Sequence, residues 1–147
     1  MTRDRYRIKL NKFVSFCDDL AKLSTCKRLN NAAIIFPRDF TTVHAIGYNG
    51  PPRSISNDAC NASEGNCGCV HAEANAIVKF SYETISKPCT LYCTTMPCSH
   101  CAGLILNCPQ IELIIYKRTY RNLDGFNMLS KAQDIRIASL DMIVGEL

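Results

Sequence analysis

Cysteine constrains this chain more than any other feature: ten fall within 147 residues, at positions 17, 26, 60, 67, 69, 89, 93, 98, 101 and 108. A disulfide framework is one way to use them, but such frameworks belong mostly to short secreted chains without a sufficient core. Here 47% of residues are hydrophobic, enough for a core, and 20% are charged, a balance that excludes disorder. Met1 to Leu10 is charged and carries no apolar signal segment, and no apolar run reaches membrane-spanning length. These features predict a cytoplasmic protein without a membrane partner. In a reducing compartment a cysteine is a metal ligand or a small buried hydrophobe. Length predicts one domain over 1–147. Lys+Arg 17 against Asp+Glu 13 gives +4, too mild a balance to indicate nucleic acid.

Periodicity sorts some of the ten. Residues 5–24 predict a helix, with Leu10, Phe13, Cys17 and Leu20 on one stripe, so Cys17 is a core residue. Ala32 to Phe36 and Val43 to Tyr48 read as two strands around a Pro37-Arg38-Asp39 turn, hence a hairpin. Residues 49–70 form a long Gly/Asn/Ser-rich loop, which in a compact domain needs a reason. Its three cysteines suggest metal. Beyond it the pattern is regular: helix 71–82, strand 89–94, helix 98–107 opened by Pro97, strand 111–116, helix 122–133 and strand 135–140. Helices between strands imply parallel crossovers, so the second half is α/β, with the hairpin adding an antiparallel strand. Cys89 and Cys93 share one strand face, and with Cys108 they read as ordinary core residues.

The chemistry concentrates in His71-Ala72-Glu73 and Pro97-Cys98-Ser99-His100-Cys101. Cys-x-x-Cys places two thiolates close enough to share one tetrahedral ion, and a helix start favours thiolate. One His and two Cys leave a fourth position for water, the catalytic pattern of zinc, whereas structural sites are closed by four ligands. Glu73, two residues beyond His71 on the same turn, is placed to take a proton from that water. His100 reads as an exposed helix residue and His44 as an ordinary hydrogen-bonded one. Separately, each motif is weak; together, with a Pro before the first Cys, chance is a poor account of them.

His71-Ala72-Glu73-Ala74-Asn75-Ala76-Ile77 with Thr95-Met96-Pro97-Cys98-Ser99-His100-Cys101-Ala102 resembles the cytidine deaminase superfamily, whose signature is His-x-Glu followed by Pro-Cys-x-x-Cys. Gly47-Tyr48-Asn49-Gly50 with Pro52 narrows the resemblance to deoxycytidylate (dCMP) deaminases, and the short chain with extra cysteines looks more like bacterial or viral members. The resemblance runs from about Lys9 to Leu140. It implies an α/β/α sandwich of three layers around a mixed five-stranded sheet. It also implies zinc-dependent hydrolysis of dCMP to dUMP and ammonia, feeding dTMP synthesis, in the cytoplasm (the host's, if the chain is viral). By the same resemblance His71, Cys98 and Cys101 would bind the catalytic zinc and Glu73 would shuttle protons. Asn49 would bond the sugar 3′-OH, the Ala72 backbone and Thr95 would hold the pyrimidine, and Tyr120 would pack near the nucleotide. A homohexamer is implied, as is activation by dCTP with Mg2+ and inhibition by dTTP through the loop after Gly50. Relatives often carry a glycine where Pro52-Arg53-Ser54 stands here, so Arg53 marks a departure in the regulatory loop.

The remaining cysteines lie at Cys26 and at Cys60, Cys67 and Cys69. Ser24-Thr25-Cys26-Lys27 resembles a segment that in some viral and bacterial dCMP deaminases ligates a second zinc, together with a loop cysteine and the residue two before the catalytic His, here Cys69. Four thiolates would close a structural site; free thiols or a loop disulfide are the alternative. Lys117, Arg118 and Arg121 cluster around Tyr120, either as a solvated loop or as a phosphate partner, with Arg121 the substrate-binding candidate. Two rival functions stay open: a deaminase of another cytosine or adenine substrate, as free nucleoside or RNA, and a non-catalytic zinc-binding module that would have no use for Glu73.

Overall fold

Two strands with no exposed face set the architecture. β1 (Ala32–Pro37) and β3 (Cys89–Thr95) are buried along their whole lengths, which requires helices on both sides of the sheet. The structure, a computed structural model, describes the backbone of residues 1–147 and every side chain but that of Tyr82. The remaining elements are α1 (Arg3–Ala21), β2 (Ala45–Tyr48), α2 (Ala72–Lys79), α3 (Ser99–Leu106), β4 (Ile111–Arg118), α4 (Asp124–Ser130), β5 (Arg136–Ser139) and α5 (Leu140–Gly145). The sheet order is β2-β1-β3-β4-β5. β1 runs antiparallel to both β2 and β3, and β3, β4 and β5 run parallel. This is the mixed five-stranded sheet and the hairpin that the sequence predicts.

Strand alternation deals the apolar side chains to two cores. Ala33, Ile35, Leu91, Cys93 and Ile114 meet Ala72, Ala76, Ala102, Ile105 and Leu129 of α2, α3 and α4. Ile34, Phe36, Tyr92 and Ile115 meet Leu10, Cys17 and Leu20 of α1 and Ile143 of α5. Helices therefore cover both faces, giving three layers. Each fully buried isoleucine in this arrangement contributes about 1.5–3 kcal/mol. Cys17, Cys89, Cys93 and Cys108 are all buried within these cores as free thiols, the small-hydrophobe role assigned from periodicity.

Several boundaries differ from expectation. α1 ends at Ala21, where residues 22–24 turn away in short-range backbone bonds and release the segment that carries Cys26. β2 begins at Ala45; His44 still donates its N–H to the Ile35 carbonyl at 2.8 Å. α4 is confined to 124–130. α5 is unforeseen: it lies past the strand predicted to end at Leu140, and the Ser139 hydroxyl accepts the Met142 N–H to start it. The 49–70 loop has almost no regular structure; its main tie is the bridge between Gly50 and Val70.

α2 lies directly on β2. A Cβ on Gly47 would stand 2.1 Å from the Ala72 carbonyl oxygen, so only glycine fits. Asn75 and Lys79 then donate to the carbonyls of Tyr48 and Ile46 at 2.9 and 3.1 Å. The start of α2 is thereby fixed beside the carboxyl end of β3, the end of a parallel sheet where ligand clefts form.

Candidate active site and metal centres

His71 and Cys98 occupy the N-cap positions of α2 and α3, and neither side chain caps its own helix. Both are free to face each other. Cys98 therefore precedes the first turn rather than lying within it, while Cys101 sits inside it. His71 Nδ1 lies 3.4 Å from Cys98 Sγ and 3.5 Å from Cys101 Sγ. Ligands held at 2.0–2.3 Å around a tetrahedral zinc stand about 3.5 Å apart, so one nitrogen and two sulfurs at this spacing fit such an ion. The Cys98 thiol is held well below its ordinary value by hydrogen bonding from Cys101 and by His71, and the same interaction, with burial, pushes Cys101 up. His71 is raised chiefly by its bond to Cys98.

Glu73 is 7% exposed, the one charged side chain that is buried among the described residues. Burial pushes its carboxyl up to about 7, against the opposing pull of a backbone N–H and of His71. It lines a cleft of about 100 Å³ together with His71, Cys98, Asn49, Thr95 and Tyr120. A carboxyl poised near neutrality beside three metal-ligand side chains is equipped to accept and to return a proton.

The second group is formed by Cys26, Cys60, Cys67 and Cys69, whose sulfurs all lie within 4.8 Å of one another. Cys26 and Cys67 are 3.8 Å apart, close to the separation of about 3.8 Å for two sulfurs on one tetrahedral zinc. The Lys27 N–H donates to Cys60 at 3.3 Å, and this bond leads in holding that thiol below its ordinary value. All four predicted cysteines are thus together, Cys67 included, as free thiols. Cys26, Cys67 and Cys69 also line the cleft of Glu73, so the two groups share one wall.

Asn49 is buried just past β2 and pins the segment 24–31. Its Oδ1 accepts from the Ser24 hydroxyl at 2.6 Å and the Asn31 N–H at 2.8 Å, and its Nδ2 donates to the Leu29 carbonyl at 2.7 Å. One amide hydrogen is left for a ligand. Thr95 donates to Asn31 Oδ1 at 2.7 Å and accepts from Arg118 Nε at 3.3 Å. Ala72 is buried in the core between His71 and Glu73 and does not itself line the cleft. Gly50 exchanges backbone bonds with Val70, and Arg53 is exposed on the loop; neither lines the cleft.

The basic residues do not converge as the sequence suggests. Lys117 pairs with Asp18 of α1 at 2.7 Å, Arg118 turns to Thr95 and Asn31, and Arg121 pairs with Glu64 at 2.8 Å. Of the three, only Arg121 lines the cleft. The cation that sequence reasoning missed is Arg28. It lines both the cleft and the adjoining hollow formed by residues 65–71, and it has no hydrogen-bond or ion-pair partner among the described residues. Asn31 was missed too. Their position two and five residues beyond Cys26 was the available signal, because Cys26, grouped with the loop thiols, carries its neighbours to the cleft.

The family model for the cytidine and deoxycytidylate deaminase zinc-binding region matches residues 7–117. The chain is 30% identical over 131 residues to a deoxycytidylate deaminase of Saccharomyces cerevisiae, covering 82% of this chain and 41% of that protein. It is 31% identical over 121 residues to the deoxycytidylate deaminase of Mycobacterium phage D29, covering 72% of this chain and 91% of the phage protein. It thus spans about two fifths of the length of the yeast relatives but most of the phage one. Among solved structures it is similar to the dCMP deaminase of cyanophage S-TIM5 in complex with dCMP and dUMP, with a TM-score of 0.76 and 25% identity over 95% of this chain and 99% of that one.

Proposed function

Because this chain belongs to the family defined by the cytidine and deoxycytidylate deaminase zinc-binding region, matched over residues 7–117, we propose that it deaminates dCMP to dUMP and ammonia. The observation that carries the reading is the convergence of buried Glu73 with His71, Cys98 and Cys101 in one cleft. His71 Nδ1 and the two thiolates would hold one zinc ion, which when bound supplies the Lewis acidity that makes water nucleophilic at neutral pH. Glu73 takes a proton from the attacking water and delivers it to N3 of the cytosine ring as the C4–O bond forms. It then carries the second water proton to the amino group. The C4–N bond breaks, ammonia leaves and the C4 carbonyl of uracil remains. A carboxyl pushed up to about 7 is suited to both transfers.

The cleft walls supply recognition. Asn49 offers its remaining amide hydrogen to the sugar, the Ala72 backbone and Thr95 border the pyrimidine, and Tyr120 covers it. Arg28 is our choice of first phosphate partner, with Arg121 beside it; the absence of any competing partner for Arg28 among the described residues supports this. The four thiols Cys26, Cys60, Cys67 and Cys69 would close a structural zinc site. Ten free thiols support a reducing, cytoplasmic location. No helix is long and apolar enough to cross a membrane. A homohexamer is the assembly we expect. Regulation by dCTP with Mg2+, and by dTTP, would act through Gly50 and Arg53; the Gly50–Val70 bridge, one residue from His71, gives that loop a route to the cleft.

The test is ammonia release by zinc-loaded protein from dCMP, deoxycytidine and a short RNA. We expect dCMP to be preferred. Glu73→Gln should keep both zinc ions and lose at least about two orders of magnitude in turnover. Equal specificity constants for dCMP and deoxycytidine would reject the nucleotide assignment, and an active Glu73→Gln would reject the mechanism.

A further inference from the structure

The loop that walls the cleft is tied down twice. Cys60, Cys67 and Cys69 gather it against Cys26, and Glu64 anchors it to the far wall by pairing with Arg121 at 2.8 Å. The Arg121 guanidinium also lies over the Tyr120 ring, 5.3 Å from its centroid. Arg121 and Tyr120 line the cleft, whereas Glu64 reaches the guanidinium from outside it. The loop backbone runs close to the same group: a Cβ on Gly65 would stand 3.0 Å from Arg121 Nη2. A cation at the mouth of the cleft is therefore reserved by a carboxylate that belongs to the covering loop.

The exposure of this pair decides what it can do. The Arg121 and Glu64 side chains are 43% and 67% exposed. Such pairs contribute little to stability and exchange readily. A phosphate monoester brings about 1.5–2 negative charges and three acceptor oxygens, and guanidinium binds it in a bidentate fashion. It outcompetes a single solvated carboxylate for Arg121. A neutral nucleoside has nothing to offer the guanidinium and leaves the pair intact.

Resting on the nucleotide reading above, we propose that Glu64 is a specificity-determining counter-ion: it holds Arg121 across the mouth of the cleft and yields it to the phosphate of a nucleoside monophosphate. The exchange makes and breaks ion pairs only. It frees the 61–66 segment from the far wall when a nucleotide arrives, while Cys67 and Cys69 keep the rest of the loop in place. Glu64 thus lowers affinity for the nucleotide while leaving the nucleoside untouched.

Calorimetric binding of dUMP and of deoxyuridine to the zinc-loaded protein tests this without relying on turnover. Glu64→Gln should tighten dUMP binding by up to about fivefold. It should not change deoxyuridine binding. Arg121→Ala should weaken dUMP binding by about tenfold or more. In the Arg121→Ala background, Glu64→Gln should have no further effect. Unchanged dUMP affinity in Glu64→Gln, equal tightening of deoxyuridine, or tightening that persists without Arg121 would each overturn the assignment of Glu64 while leaving the nucleotide reading intact. Wild-type protein that binds dUMP no better than deoxyuridine would overturn both.

Discussion

The two groups of metal-ligand side chains face one cleft but are built in opposite ways. His71, Cys98 and Cys101 stand at the starts of two helices whose apolar faces, Ala72, Ala76, Ala102 and Ile105, are sealed against β3 and its neighbours. Their mutual distances follow from the packing of the sheet. Cys26, Cys60, Cys67 and Cys69 hang on segments with almost no regular structure, between Lys22 and Asn31 and between Asn49 and Val70. Among the described residues, neither hydrophobic core draws a side chain from those segments. The first centre is therefore a product of the fold, whereas the second would order only the loops around it: metal there would supply order that hydrophobic burial does not.

The contrast predicts opposite failures. Cys98→Ala should abolish turnover and remove one of two zinc ions per chain, with the thermal transition nearly unchanged. Cys60→Ala should also remove one zinc but act first on stability, since a structural zinc contributes folding free energy. Hydrogen exchange should then quicken across 49–70 and 22–31 while β1, β3 and β4 stay protected. Metal analysis with exchange mass spectrometry checks both. One zinc per chain in folded, reduced wild-type protein would refute the second site, and equal loss of protection in the sheet would refute the contrast.

The joint between the two regions is Asn49, and it carries the next largest effect. Its amide ties the end of β2 to Ser24, Leu29 and Asn31, the segment that also brings Arg28 to the cleft. Asn49→Ala strips partners from a part-buried N–H, a hydroxyl and a carbonyl, at a cost of about 1–3 kcal/mol. In chemical denaturation the midpoint should fall, and KM for dCMP should rise more than kcat falls, because the loop segment loosens while His71, Cys98 and Glu73 stay on their helices. A variant with unchanged stability and lowered kcat would assign Asn49 to the chemistry alone.

What the sequence made legible follows the same division. His71, Glu73, Cys98 and Cys101 were readable because spacings of two and three positions at a helix start already define each pair, and the fold only had to bring two helix starts together. Cys17, Cys89, Cys93 and Cys108 were readable as core from the periods of helix and strand. The four loop thiols were grouped by resemblance, not by period, since an irregular segment has none. Arg28 escaped because its place depends on the turn after Ala21 and on Asn49, both tertiary facts. α5 escaped because six residues are too few to show a helical period, and only the Ser139 cap marks its start.

The smallest predicted effect corrects the reading of the basic cluster. Lys117 and Arg118 are neighbours in sequence, and neighbours on a strand point to opposite faces. Lys117 goes to the α1 side, where it meets Asp18 at 2.7 Å with 45% and 36% of the two side chains exposed. Arg118 goes to Thr95 and Asn31 at the cleft's edge. Proximity in sequence thus separates them in function, while Arg28, far away in sequence and carried on the loop side, reaches the cleft. Lys117→Ala should leave KM and kcat for dCMP unchanged and cost less than about 1 kcal/mol, the range for an exposed ion pair. Arg28→Ala, measured beside it, should raise KM for dCMP by about tenfold or more and leave deoxycytidine kinetics as they were. The comparison is decisive because both changes remove one positive charge: a general effect of net charge would move the two variants together, whereas a phosphate contact at the loop wall moves only Arg28→Ala.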